Sequence, residues 1–343
     1  MACPDDILEQ TISKYPMTVK FLIIRFSSIG DIVLTTPVVR CLKQQVKGAE
    51  IHFLTKPAYA SVLQGNPYVD RIVLLKPSVK QTIRELKEEG YDYIIDLHNS
   101  LRSYQIKTAL PWLSFSVKKL NWQKWLMVHF KINKLPNRHI VDRYLDTVKL
   151  FDVENDGKGL DFFLSSEDEV PLSELPAYLH RGYIAVAMGA RHVTKQIPPE
   201  KIATLCRYFN HPVLLLGDKF DIANAELVVR MVGGNVFNAC GKFSLRQSAW
   251  LVQQSLAVVT PDTGLMHIAS AFKKNVISVW GNTIPAFGMY PYLPGEKSRI
   301  FEVNGLSCRP CSKLGYPSCP KKHFRCMMDM DYKGLAEYVN QIS

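Results

Sequence analysis

Long apolar runs are missing from this 343-residue sequence. Phe21-Leu22-Ile23-Ile24 is typical of the longest, far short of the roughly 20 residues a membrane-spanning helix needs. The first 18 residues hold Asp5, Asp6 and Glu9 and no apolar h-region, so no secretory leader is expected and the chain should stay in the cytoplasm. Two phosphate-binding fingerprints are absent as well. There is no G-x-x-x-x-G-K-S/T, and the only G-x-G is Gly157-Lys158-Gly159, in a polar segment. Both absences argue against P-loop kinases and ATPases and against dinucleotide-dependent dehydrogenases. Low-complexity tracts and internal repeats are lacking too, and the length suits two domains of ordinary size.

Positive charge is abundant. Lys and Arg number 42 against 31 Asp and Glu, a net +11. Between Arg102 and Arg143, nine Lys or Arg stand against one acidic residue, Asp142, so +8 of that charge lies in one segment. Such a patch attracts nucleic acid, an anionic membrane face or an acidic substrate. Its centre is Lys118-Lys119-Leu120-Asn121-Trp122-Gln123-Lys124-Trp125, followed by Phe130-Lys131 and Lys134. This reads either as a solvated helix face or as a contact with anionic lipid. Aromatics favour that interface, and each basic residue adds about 1 kcal/mol there. No nucleic-acid motif accompanies the charge, so nucleic acid is not expected as a partner.

Eight cysteines in a chain neither small nor secreted do not suggest disulfides. Cys3, Cys41, Cys206 and Cys240 are scattered and read as reduced, buried thiols. Cys308-x2-Cys311-x7-Cys319-x6-Cys326, with His323 nearby, resembles a small zinc knuckle with an irregular second pair. Structural zinc on Cys308, Cys311, Cys319 and Cys326 stands beside reduced thiols or a redox-labile loop. In each case the role is structural, not catalytic.

Strand-like runs at 19–25, 51–54, 71–75 and 93–96 alternate with helical segments at 32–45, 58–63 and 81–89. Polar stretches at 152–160 and 165–176 read as a linker. A second series follows, with strands at 183–188, 213–216, 257–260 and 276–280 and helices at 200–209, 223–231, 245–254 and 265–272. The alternation predicts an α/β protein of two Rossmann-like halves, each a parallel sheet covered on both faces, with a cleft between them. Ligands in such sheets bind beyond the carboxyl ends of the strands.

Two motifs occupy such ends. Ser28-Ile29-Gly30-Asp31 follows the first strand and opens a helix. On geometry alone, Asp31 reads first as a cap or first-turn carboxylate. Its second reading is an ionised base at the cleft mouth, with Gly30 letting the backbone pass close to substrate. Thr260-Pro261-Asp262-Thr263-Gly264-Leu265-Met266-His267 ends a strand and starts a helix, whose free N–H groups suit a pyrophosphate. A plain capping turn with a core histidine is the alternative. Asp329-Met330-Asp331 has the form of a metal-binding D-x-D, but its place before a terminal helix predicts a cap.

The stretch from Lys20 to Pro37, containing Arg25-Phe26-Ser27-Ser28-Ile29-Gly30-Asp31, resembles the opening of the heptosyltransferases of glycosyltransferase family 9. Asp262-Thr263-Gly264-Leu265-Met266-His267-Ile268-Ala269 resembles their donor motif. Asp96-Leu97-His98 with Arg102-Ser103, Lys195 before Pro198-Pro199-Glu200, and Leu214-Leu215-Leu216-Gly217 agree. The likeness runs from about residue 19 to 330.

The resemblance implies a GT-B fold and an inverting, metal-independent transfer from ADP-heptose to the inner core of lipopolysaccharide. The implied plan is an N-terminal extension (1–18), an acceptor domain (19–165), a nucleotide-sugar domain (177–326) and a final helix (327–343) packing back on the acceptor domain. Asp31 matches the catalytic base. Lys195, Gly217, Asp218, Asp262, Thr263, Gly264, Leu265, Met266 and His267 are the expected donor contacts. Ser28, Gly30, Arg102 and Ser103, with Lys118, Lys119 and Lys124 of the basic stretch, are the expected acceptor contacts. The acceptor would be met at the cytoplasmic face of the inner membrane. Another nucleotide-sugar donor, or a non-catalytic relative that only binds glycan or nucleotide sugar, would leave these motifs intact.

Overall fold

The computed structural model describes residues 18–343. Cys3 and all but the last residue of the expected extension lie outside that range. In chain order the elements are β1 (Val19–Ile24), α1 (Ile29–Val33), α2 (Thr36–Gln45), β2 (Ala49–Thr55), β3 (Arg71–Leu74), α3 (Val79–Glu89), β4 (Tyr93–Asp96), α4 (Leu101–Thr108) and β5 (Leu113–Ser116). Then come α5 (Asn121–Phe130), α6 (Ile140–Leu145), β6 (Ile184–Ala187), α7 (Pro199–Tyr208), β7 (Val213–Leu216), α8 (Ile222–Val232) and β8 (Val236–Asn238). The chain continues through α9 (Leu245–Gln254), β9 (Ala257–Pro261), α10 (Gly264–Ala271), β10 (Val276–Trp280), β11 (Arg299–Glu302), α11 (Arg325–Met328) and α12 (Tyr332–Ile342).

The single helix expected at 32–45 is two helices. Pro37 lacks an N–H and its ring clashes with the carbonyl four residues back, so the chain stops at Val33 and restarts with Pro37 in the first turn of α2. The segment expected as a helix at 58–63 is a 3₁₀ turn, Pro57–Val62.

Contacts group the chain into two units. Residues 18–28, 35–119 and 141–157 form the first; 29–34, 120–140 and 158–343 form the second. The motif residue Asp31 therefore groups with the second unit.

The first unit is built on a five-stranded parallel sheet, order β3-β2-β1-β4-β5. The apolar run Phe21–Ile24 is fully buried, as a central parallel strand covered on both faces requires. Leu22 and Ile24 pack with Leu54 and Ile94 against Leu86 of α3 and Ile106 of α4. The winding reverses between β1 and β4, so the loops after these strands diverge and leave a crevice.

The second unit has a six-stranded parallel sheet, order β11-β10-β9-β6-β7-β8, with the reversal between β6 and β9. Successive side chains alternate between two cores. Ile184, Val186, Leu215, Val259 and Ile277 pack under α7, α8 and α12. Ala185, Leu214, Leu216 and Val258 pack under α9 and α10.

Two expectations need correction. The stretch 165–176 is not a free linker. Asp168 is gripped by Arg246 of α9 through bonds of 2.8 and 2.5 Å, and Val170 and Leu175 are core residues. The final helix was expected to pack back on the first half of the chain; Leu335, Ala336 and Val339 of α12 are buried in the second unit's own core. Asp331 caps that helix by accepting from the Gly334 N–H at 2.9 Å, and Asp329 pairs with Arg325 at 2.7 Å. The D-x-D is thus a structural turn, as its position predicted.

Candidate active site

The second unit gathers its polar side chains where β6, β9 and β10 end, around the winding reversal. Lys195, at the end of a short 3₁₀ turn after β6, donates from Nζ to Asp262 Oδ2 at 2.5 Å. Thr283, after β10, donates to the same carboxylate oxygen at 3.2 Å. Thr263 takes the N-cap position of α10 without using its side chain as a cap; its hydroxyl pairs with Thr260 Oγ1 at 3.0 Å. The first-turn N–H groups of α10 are thereby left for a ligand, and the helix end adds roughly +0.5 charge.

Helix α1 packs on α10 through two glycines. A Cβ at position 30 would lie 2.5 Å from His267 Cδ2, and one at position 264 would lie 2.9 Å from Ile29 Cγ2. The close approach sets Asp31, in the first turn of α1, within electrostatic reach of His267. Burial holds the His267 imidazolium down to a pKa of about 4, although Asp262 and Asp31 oppose it. The ring is therefore neutral at neutral pH, and its buried Nδ1 has no hydrogen-bond partner among the described residues. Met266 points into the core and Leu265 packs against it, so the main chain is what these two offer a ligand.

At the end of β7, Gly217 is required because a Cβ there would lie 2.6 Å from Asp221 Oδ2. Asp221 builds the turn by accepting from the Asp218 N–H at 2.9 Å, and burial raises its pKa above the usual carboxylate value. Asp218 lies two residues beyond the strand end and accepts from the Phe220 N–H at 2.8 Å.

In the first unit a cavity of about 360 Å³ is lined by Phe26, Lys56, His98, Ser100, Leu101, Arg102 and Gln105. It sits where β1, β2 and β4 end. Asp96 shapes its wall by accepting from the His98 and Asn99 N–H groups at 3.0 and 2.7 Å, and the His98 ring lies 4.9 Å from that of Phe26. Ser103 does not line the cavity. It is fully buried, and its hydroxyl closes the capping box with Ser100 that starts α4 and presents Arg102. Ser28 is exposed on the loop after β1.

A family model described as glycosyltransferase family 9 (heptosyltransferase) matches residues 79–318, well over half of the chain. The chain belongs to glycosyltransferase family 9. Among curated relatives of this family 9 enzyme, lipopolysaccharide heptosyltransferase 1 of Pseudomonas aeruginosa is 25% identical, covering 91% of each chain. The protein of the same description from Campylobacter coli is 23% identical over 77% of this chain and 84% of its own. Among solved structures, the E. coli ADP-heptose lps heptosyltransferase II aligns with a TM-score of 0.71 at 18% identity, covering 94% of this chain and 98% of that one. E. coli heptosyltransferase WaaC with ADP aligns at 0.65 and 18%, covering 95% and 100%. The glycosyltransferase therefore has the GT-B fold.

The remaining expected residues of this glycosyltransferase spread more widely. Lys118 and Lys119 are exposed, while Lys124 lies 5.5 Å over the Phe287 ring. Cys41, Cys206 and Cys240 are free and buried. Cys308 Sγ lies 3.8 Å from His323 Nε2, yet among the described residues no three His, Cys, Asp or Glu side chains are placed to hold a metal ion. The cysteine-rich segment does reach the loop after β6: Tyr316 exchanges main-chain and hydroxyl bonds with Thr194, next to Lys195. Lys56, Gln105, Asn282, Thr283 and Arg309 stand in no sequence motif and are brought in by the tertiary fold.

Proposed function

We propose that this glycosyltransferase moves heptose from ADP-heptose to the inner core of lipopolysaccharide with inversion, using Asp31 as general base and no catalytic metal. The carrying observation is the packing of α1 on α10, which sets Asp31 beside the Asp262–His267 motif. The diphosphate would lie on the N-terminus of α10 and near Lys195, where positive potential is already supplied for the charge growing on the leaving group. Asp31 would take the proton of an acceptor hydroxyl attacking the anomeric carbon from the face opposite the diphosphate. A neutral His267 can hydrogen-bond there without competing for that proton. Asp218 remains the carboxylate proposed for the ribose.

On the acceptor side, Lys56 and Arg102 give the first unit's cavity the charge to hold an anionic sugar, with Ser100 and Gln105 for its hydroxyls. Helix α5 offers the face for the membrane that carries the acceptor. It buries none of its residues, and its Trp122 and Trp125 rings stack at 4.9 Å, with His129 and Phe130 packed on Trp125. Lys131 and Lys134 follow directly, as an anionic leaflet favours. Among the described residues no helix is long and apolar enough to cross a membrane.

The decisive assay is heptosyl transfer by Asp31→Asn. Loss of a general base lowers kcat by about 10²–10⁴ while donor affinity stays near wild type. Transfer by the wild type should persist in EDTA. Full activity in Asp31→Asn would remove the base from the mechanism.

A further inference from the structure

Three consecutive carbonyls after β10 are held by one short segment of the second unit. Arg309 donates from Nε to Gly281 O at 2.6 Å and from Nη2 to Thr283 O at 2.9 Å. The Cys311 N–H donates to Asn282 O at 3.3 Å. Arg309 is itself fixed by Glu302, at 2.5 Å. Main chain held at three successive carbonyls has little freedom, so the side chain it carries is fixed in advance.

That side chain is Asn282. It is 1% exposed, and neither Oδ1 nor Nδ2 has a hydrogen-bond partner among the described residues. Both ends of a buried amide left unpaired oppose folding, and a small apolar residue would be more stable there. Its neighbour Thr283 bonds to Asp262, which holds Lys195. Asn282 is therefore one residue from the polar network at the carboxyl ends of the strands, where a parallel sheet takes its ligand.

We infer that Asn282 is a donor-binding residue, its amide unsatisfied in the free protein and satisfied by a hydroxyl of the nucleotide sugar. The amide itself selects that chemistry. Oδ1 needs a donor and Nδ2 an acceptor, and a hydroxyl supplies both, whereas a diphosphate at neutral pH supplies acceptors only. The hydroxyl belongs either to the transferred sugar or to the ribose. A site built to bond a hydroxyl rejects analogues that lack it far more strongly than an apolar pocket rejects a size change. Asn282 is thus a determinant of donor choice. The inference rests on the ADP-heptose reading above.

The test compares wild type with Asn282→Ala and Asn282→Ser, measuring the apo melting temperature and the affinities for ADP and for ADP-heptose. For Asn282→Ala the apo protein should melt no lower than wild type, while ADP-heptose binding weakens on the order of tenfold. Asn282→Ser should recover part of that loss. If ADP binding is spared, the hydroxyl is on the transferred sugar; if ADP weakens equally, it is on the ribose. Unchanged affinity for both probes overturns the inference, whatever the melting temperature does. A wild type that binds neither probe overturns the donor reading, and this inference with it.

Discussion

At position 30 a β-carbon would meet His267 at 2.5 Å and the Gly264 Cα at 3.3 Å. His267 is itself buried. Gly30→Ala should therefore push α1 away from α10, costing about 1–3 kcal/mol of stability and reducing transfer more than donor binding. Thermal melting and a kcat-against-KM comparison would check this; an alanine variant with wild-type kcat would show that α1 has room to spare. From the sequence, Gly30 is expected to admit substrate. Its Cβ position faces another helix, a fact of tertiary packing that no local pattern encodes. Asp31, Lys195 and the Asp262–His267 stretch were legible because they lie in ordered motifs at strand ends. Asn282 was not, since an asparagine in a turn is ordinary until its burial and lack of partners are known.

Among the elements, the long central strands and the amphipathic helices were readable from apolar runs and spacing. β5, β8 and β11 were not. They are short, and β5 and β11 at sheet edges expose half of their residues, so they lack the apolar run of a covered strand. The basic stretch gave charge and aromatics but not their arrangement. In α5, Trp122 and Trp125 are 64% and 41% exposed and stack on the same face. Large aromatics left in water at such density mark an interaction surface. Trp122→Ala with Trp125→Ala should weaken sedimentation with vesicles containing anionic phospholipid about tenfold or more, leaving ADP affinity intact. Neutral vesicles should bind less, and added salt should weaken the anionic case. Equal binding of wild type and double variant would separate α5 from the membrane.

For the molecule as a whole, the segment expected as a linker has become part of the second unit's foundation, and its anchor titrates. The guanidinium of Arg246, bonded to both oxygens of Asp168, holds that carboxyl at a pKa of about 2, below its ordinary 3.8. A lowered carboxylate pKa contributes stability above the unfolded value, and that contribution fades as pH falls from about 4 through 2. Asp168→Asn should lower the urea midpoint at pH 7 by the equivalent of about 2 kcal/mol, with the gap closing toward pH 2. A gap independent of pH would place the stabilisation elsewhere. The two-unit α/β plan was readable from alternation alone, but the membership of 29–34, 158–179 and α12 in the second unit was not, because each is decided by a partner far away in sequence. The clasp of Arg309 and Cys311 on residues 281–283 has a consequence of another kind. It holds oxygens that every amino acid possesses, so the main chain at 282 keeps its place when the Asn282 side chain is replaced. On the donor role inferred for Asn282, architecture and selectivity are uncoupled there, and donor choice can change by one replacement without first repairing the fold.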